Sequence, residues 1–312
     1  MAIRIAHNIT ALTAWRNLGQ TNHAIGKTME KLSSGYRINR AADDPSGLVI
    51  SQKMRSLIAG YDQAVANSET AISMVQTAEA ALSEIHSLLV GMRSLAVHAA
   101  NEGTNDQTML NADNAQAQEA INTIDRIATT TQFGTKDIIN GAFTDGGNAV
   151  TVDFSVAANA TGRYGTGSAT SEKAVFQVGP NANQTITISI ASMTANILGG
   201  TDGTGTTRHL NTVLLNSSSN ATLAIGTISL AIQTVSDLRS QLGAFQAYSL
   251  ESNLSSLRIA SENLQASESV IRDTDMSLEI ANFTKQQIMM QAGTSMLAQA
   301  NMIPQAVLQL LG

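Results

Sequence analysis

The chain has 312 residues, a net charge of −6 and only 13% charged and 4% aromatic side chains. It has no cysteine, which excludes a disulfide frame, thiolate catalysis and thiolate metal ligation. The mild acidity, without any Lys/Arg cluster, argues against a nucleic-acid binder. The opening "MAIRIAHNITALTAWRNL" has no continuous apolar run followed by small residues, so no cleaved secretory signal is expected. No window reaches the roughly twenty apolar residues of a spanning helix, so membrane insertion is not expected either.

Residues 1–40 carry one thin apolar stripe: Ile3, Ile5, Ile9, Leu12 and Leu18. From Gly47 to about Ala100 the large apolar residues fall at Ile58, Val65, Ile72, Val75, Leu82, Ile85, Leu89, Met92 and Leu95. Their steps are those of a heptad seam, and predict a helix about 80 Å long at 1.5 Å per residue. Asp44 is placed to cap it and Pro45 to begin it, where a missing N–H costs nothing. The break "NEGTND" ends it. A second helix is predicted over 106–130, with Thr104 and Gln107 at capping-box spacing and a stripe of Leu110, Ala117, Ile121, Ile124 and Ala128.

The middle differs. From Gly141 to Asn220 only seven residues are Asp, Glu, Lys or Arg. Strict alternation at Val150, Val152, Phe154 and Val156 predicts one strand. "AVFQV" and "TITISI" across "GPNANQ" predict a hairpin from about Val175 to Ile190. The stretches "LGGTDGTGTT" and "NSSSN" read as loop. A third helix is predicted over 224–272, with the seam Ile228, Ile232, Val235, Leu238, Leu242, Phe245, then Leu250, Leu254, Leu257, Leu264 and Ile271. The five-residue step from Phe245 to Leu250 interrupts the heptad. Residues 273–312 add a second thin stripe: Ile288, Met296, Ile303, Val307 and Leu310. Within it Pro304 either kinks the last turns or starts a separate helix.

The two ends match in length, and so do the two longest helices. The chain therefore runs out, turns over in its middle and runs back. The expected fold class is mainly α: a long antiparallel helical coiled-coil bundle formed by the N- and C-terminal segments, with a small β-hairpin-containing central insert. From Gln286 to Gly312 there is no charged side chain, unusual for a chain end. Two thin stripes cover each other only partly, and the surplus apolar surface calls for other chains.

Three stretches carry a family resemblance. "LSSGYRINRAADDPSGLVIS" at 32–51, "TQFGTKDIINGAF" at 131–143 and the ending from Ile271, "IRDTDMSLEIANFTKQQIMMQAGTSMLAQANMIPQAVLQLLG", resemble the corresponding stretches of bacterial flagellins. "FQVGPNANQTITISI" resembles the flagellin hairpin. Trp15 and Tyr36 are bulkier than the pattern, and 144–172 and 199–223 show no similarity. The resemblance implies a structural subunit that self-assembles into the helical, tubular flagellar filament used for motility. It implies an inner coiled-coil domain of residues 1–43 plus 273–312 that orders on assembly. It implies an outer-tube domain of residues 44–143 plus 224–272 with the hairpin at 174–191, and a surface-exposed variable insert at 144–173 and 192–223. The implied partners are further copies of the chain, the flagellar export apparatus and its export chaperone, and the hook-associated and cap proteins. The implied location is extracellular, reached through the flagellar type III export channel.

The residues expected at the polymer core interface are Ile5, Ile9, Leu12, Ile288, Met296, Ile303, Val307 and Leu310. The stretch "LLVGMRSLAVHAAN" resembles the segment that an innate immune Toll-like receptor senses in flagellins. Leu89, Arg93, Leu95 and Asn101 are retained. Strongly sensed members have Arg where this chain has Gly91 and Glu where it has Gln116, so weak sensing is expected, because Gly offers none of the donors of an Arg fork. Leu89 and Leu95 are expected to serve packing as well. Ser217, Ser218 and Ser219 are candidate O-glycosylation sites, against the plainer reading of a solvated loop. Arg37, Arg40, Asp43 and Asp44 are candidates for register-setting ion pairs, and Asp43 and Asp44 read as capping groups rather than as acid–base or calcium ligands.

No cofactor, metal site or enzyme activity is expected. His7, His23, His86, His98 and His209 lack ligand spacing, and the H-E-x-x-H, G-x-S-x-G and phosphate-loop motifs are absent. Two rival classes share some of these features. A hook–filament junction protein shares similar helical ends but usually keeps the terminal motifs in degraded form. A signalling or enzymatic coiled-coil protein would need a polar terminus and a recognisable site.

Overall fold

The structure, a computed structural model, describes residues 8–103, 105–141, 144–145, 148–149, 173–201 and 207–311. The strand expected over Val150–Val156, like Ile5, lies outside these residues. In chain order come α1 (Ile9–Ser34), α2 (Pro45–Ala99) and α3 (Gln107–Thr130). Four antiparallel strand pairs follow: β1 (Gln132–Phe133) with β2 (Lys136–Asp137), β3 (Thr144–Asp145) with β4 (Asn148–Ala149), β5 (Lys173–Gln177) with β6 (Thr185–Ser189), and β7 (Gly199–Thr201) with β8 (Thr207–His209). Then come α4 (Ser218–Ala244), a π-helical segment Phe245–Glu251, α5 (Ser252–Arg272) and α6 (Met276–Leu311). Residues 1–58 with 261–312 form one compact unit and residues 59–260 another. These limits fall inside α2 and α5, not at the helix ends where the sequence suggested boundaries.

Within the 59–260 unit, α2 buries Ala64, Ser68, Ala71, Val75, Ala78, Leu82, Ile85, Leu89, Met92, Ala96 and Ala99. These positions alternate in steps of four and three throughout, the geometry of a coiled-coil seam. The expected seam was right from Val75 to Met92 and off by one residue before it. Val65 and Ile72 are half-buried beside Ala64 and Ala71. Reading only large residues missed the alanines, which are buried there. Asp44 caps α2 as expected, accepting from Gly47 N at 2.9 Å. The cap of α3 is Asp106, accepting from Met109 N at 2.8 Å, and Thr104 lies outside the described residues. Between these helices His98 Nδ1 meets Asp113 Oδ2 at 2.6 Å. In α3, Ala117, Ile121, Ile124 and Ala128 are buried as expected.

α4 begins at Ser218, six residues before its expected start. It buries Ala221, Ala224, Ile228, Ala231, Val235, Leu238 and Leu242, with Phe245 and Leu250 continuing the stripe. The five-residue step between these last two is taken up by the π segment, whose wider turn keeps both side chains inward. By length and composition Ser218–Arg272 is apolar enough to cross a membrane, unlike the expectation, yet this stripe lies in the protein core.

The hairpin is as expected, with Phe176 opposite Ile186 and Ala174 opposite Ile188. Its turn packs on α2 where a side chain at Gly60 would meet Pro180 Cβ at 2.9 Å. The segment 192–223, expected to be surface-exposed, has a buried side. Met193, Leu198, Leu210, Val213 and Leu215 are buried, and the backbone is latched to α3 by Asp125 Oδ1 on Ala195 N (2.7 Å) and Asn114 Oδ1 on Leu215 N (2.9 Å). "LGGTDGTGTT", read as loop, contributes β7.

Candidate assembly surface

The termini meet as a helix pair. Asn8 caps α1, accepting from Ala11 N at 3.0 Å, while its Nδ2 donates to Ala300 O at 2.8 Å. Further along α1, a Cβ on Gly293 would lie 3.2 Å from Leu18 Cδ1, and Thr28 Oγ1 donates to Gln286 Oε1 at 3.1 Å. Partners on α6 fall in number as those on α1 rise, so the pair is antiparallel. Gly35 ends α1 in the left-handed region at φ 75°, which a Cβ would strain. Asp275 caps the start of α6, accepting from Ser277 N and Leu278 N. α6 continues through Pro304 to Leu311 as one helix, so no separate terminal helix forms.

This pair buries little. In α1 the buried residues are Ile25 and Thr28, and among the described side chains of α6 only Ala300 is. Of the expected interface residues, Ile9 is 62% exposed, Leu12 73%, Ile288 60% and Met296 64%. Ile303, Val307 and Leu310 lie on α6, but their side chains are outside the description. Sequence reading missed other members of the same surface: Trp15, Met29, Leu278, Ile280, Met289 and Met302 are exposed too. Trp15 continues the Leu12–Leu18 stripe in a step of three and Met289 lies seven residues from Met296, so a search for all large apolar residues at helical spacing on both helices finds them. Ile9, Ala14 and Asn17 of α1, with Gly293 and Met296 of α6, line a shallow groove of about 410 Å³. Each such side chain withdrawn from water stabilises a contact by about 1.5–3 kcal/mol, so the pair carries unspent association energy.

After α1, residues 35–38 run beside 271–274. Arg37 N donates to Arg272 O at 2.7 Å, Thr274 N to Gly35 O at 2.9 Å, and Tyr36 bridges Asp273. The Arg272 guanidinium stands 4.3 Å from the centre of the Tyr36 ring, a cation–π contact that accounts for the bulky residue. Of the candidates for ion pairing, Arg37, Arg40, Asp43 and Asp44, Arg40 has an ion-pair partner within the chain. Arg40 Nε binds Glu30 at 2.8 Å, and Arg37 donates to Ile271 O. Asp43 accepts from Arg40 N at 2.9 Å and Asn39 N at 3.3 Å. These backbone donors, Arg40 first, hold its carboxyl below the ordinary value.

In the receptor-like stretch Leu89 is buried, Leu95 half-buried, and Gly91, Arg93 and Gln116 exposed. The loop expected at Ser217–Ser219 is instead a helix start. Ser217 caps α4, accepting from Asn220 N at 3.3 Å, and Ser218 Oγ donates to Ala100 O at 3.0 Å. Ser219 is the exposed one. Among the described residues no cluster of three His, Asp or Glu side chains is placed to hold a metal.

Residues 5–144 match the family model of the bacterial flagellin N-terminal helical region, and residues 225–311 that of the C-terminal helical region. The chain belongs to the bacterial flagellin family. This flagellin is 41% identical to a flagellin of Bacillus subtilis, covering 99% of this chain and 100% of that one. It is 40% identical to a flagellar filament 33 kDa core protein of Treponema phagedenis, covering 98% and 99%. A solved flagellar hook-associated protein from Vibrio parahaemolyticus shares the fold, with a TM-score of 0.51 over 74% of this chain and 99% of that one, at 15% identity. As a flagellin, the chain is a structural subunit of the flagellar filament.

Proposed function

We propose that copies of this flagellin join through the exposed apolar faces of α1 and α6, so that the terminal pair becomes the inner wall of the filament tube. The single observation that carries this reading is the contrast within the pair: long helices, cleanly capped, whose large apolar residues lie mostly in water. The absence of charge from Gln286 onward agrees with it, since a charge on a buried wall would need a partner. The tube forms by self-association of many copies, without enzyme chemistry. The subunit reaches the filament tip through the flagellar export apparatus with its chaperone, and meets the hook-associated and cap proteins at the filament ends.

Seeded polymerisation followed by helical reconstruction tests the surface. Ile9, Leu12, Ile288 and Met296 are expected in contact with neighbouring subunits, and a reconstruction leaving them in solvent overturns the reading. Two smaller readings accompany it. With Leu89 buried and Gly91 in place of a donor, Toll-like receptor activation is weak, and a reporter-cell dose response as steep as that of a strongly sensed flagellin refutes this. Ser219 is the member of its trio open to O-glycosylation, and an intact mass equal to the sequence mass removes the idea.

A further inference from the structure

We propose that Met289, Met296 and Met302 make assembly of this flagellin oxidation-sensitive: as thioethers they form part of the subunit–subunit surface, and as sulfoxides they block it. The inference rests on the filament reading above. Its own ground is the cluster of exposed methionines in the uncharged part of α6; Met29, Met109 and Met276 are exposed elsewhere, and the triple variant below leaves them in place. On α6, Met289 is 45% exposed, Met296 64% and Met302 59%. In the core of the 59–260 unit, Met74, Met92 and Met193 are 5%, 1% and 1% exposed. An oxidant meeting a free subunit therefore reaches the assembly surface and spares these core residues. Met296 stands at the groove between α1 and α6, and all three lie in the uncharged stretch that follows Lys285.

The chemistry is oxygen transfer from a peroxide. The thioether sulfur attacks one peroxide oxygen, the O–O bond breaks, an S=O bond forms, and the remaining oxygen leaves as water. Sulfur loses two electrons and the peroxide gains them. A flexible, polarizable side chain able to fill irregular gaps becomes a polar one with a strong acceptor. α6 carries no charged side chain after Lys285; its donors there are the amides and hydroxyls of Gln, Asn, Ser and Thr residues, set among the apolar side chains of the same stretch. A sulfoxide placed against apolar surface there is left poorly satisfied. Sulfoxide reductases reverse the change, so the modification is a switch and not only damage.

The test uses full-length monomer treated with limiting hydrogen peroxide, with sulfoxides located by peptide mapping, then seeded growth measured by sedimentation. Oxidised monomer is expected to need about tenfold or more protein to elongate seeds, and sulfoxide at the three positions to be depleted from the pellet. Treatment with methionine sulfoxide reductases restores growth. The triple variant Met289→Leu, Met296→Leu, Met302→Leu, close in volume, keeps its assembly after peroxide. Growth of the oxidised wild type equal to untreated protein overturns the proposal, as does equal sulfoxide occupancy in pellet and supernatant, a readout independent of how the variant folds. Equal loss of assembly in wild type and triple variant overturns it as well. Untreated monomer that fails to elongate seeds refutes the filament reading itself, and this proposal with it.

Discussion

From Ala64 to Ala99, α2 places a residue in the core at every third or fourth position, and five of these eleven are alanines. α6 carries larger side chains, among them Leu278, Ile280, Ile288 and Met296, and leaves them in water. Hydrophobicity alone would rank the two helices the other way round. What separates them is the supply of partners. α2 shares one core with α3, α4, the hairpin and the 190–215 segment, which cover it within the chain. α6 has one facing helix, and one helix covers only part of another's circumference. A core that closes within the chain makes a stable monomer, whereas a surface left open makes a polymer.

The largest expected effect comes from removing the open surface. Deleting residues 290–312 abolishes polymerisation in a sedimentation assay while the calorimetric transition of the 59–260 unit persists; filaments of normal length from that truncation break the comparison. Next, Leu82→Ala in the closed core costs about 2–5 kcal/mol of stability in denaturant titration. Leu12→Ala on the open pair changes monomer stability by no more than about 0.5 kcal/mol, yet raises the protein concentration needed for seeded growth. Equal stability losses for the two would show that the surfaces do not differ in kind. Smaller again, Asp44→Ala removes the α2 cap and costs about 1 kcal/mol, read as a lower thermal midpoint without loss of cooperativity.

The smallest effect is a pH dependence at Asp43. Its carboxyl is held below the ordinary 3.8, first by the Arg40 N–H, then by Asn39 N–H and the nearby Lys27 and Lys31, against an opposing desolvation. A folded value below the unfolded one means that its contribution is complete above 3.8, and is lost as pH falls through the lower folded value. Asp43→Asn should therefore flatten the acid limb of the stability profile slightly, measured by denaturant midpoints across that range. An unchanged limb removes the role given to these backbone donors.

Much of the fold was legible because it repeats. The heptads of α2 and α4 announce long helices, and the five-residue step from Phe245 to Leu250 marks an interruption that the structure resolves as a π segment. The Asp44–Pro45 cap follows from local geometry, as does the β5–β6 hairpin from its alternation. What was not legible depends on distant neighbours. Ser217–Ser219 looks like loop because Ser disfavours helix interiors, but capping and a bond to Ala100 O turn it into a helix start. The 190–215 segment has turn-rich composition, yet Asp125 and Asn114 on α3 hold its backbone and bury its leucines.

The sequence by itself determined the helix order, the meeting of the termini, the uncharged ending and the family, since each is written in periodicity or in contiguous motif. Only the tertiary structure decided that alanines, not the neighbouring valine and isoleucine, occupy the early seam of α2, that Tyr36 lies under Arg272, and that the antiparallel pair leaves Trp15 and Met296 uncovered. Burial is a property of what packs against a residue. A single chain's pattern gives each helix its apolar faces, and only the assembled fold decides which faces find cover.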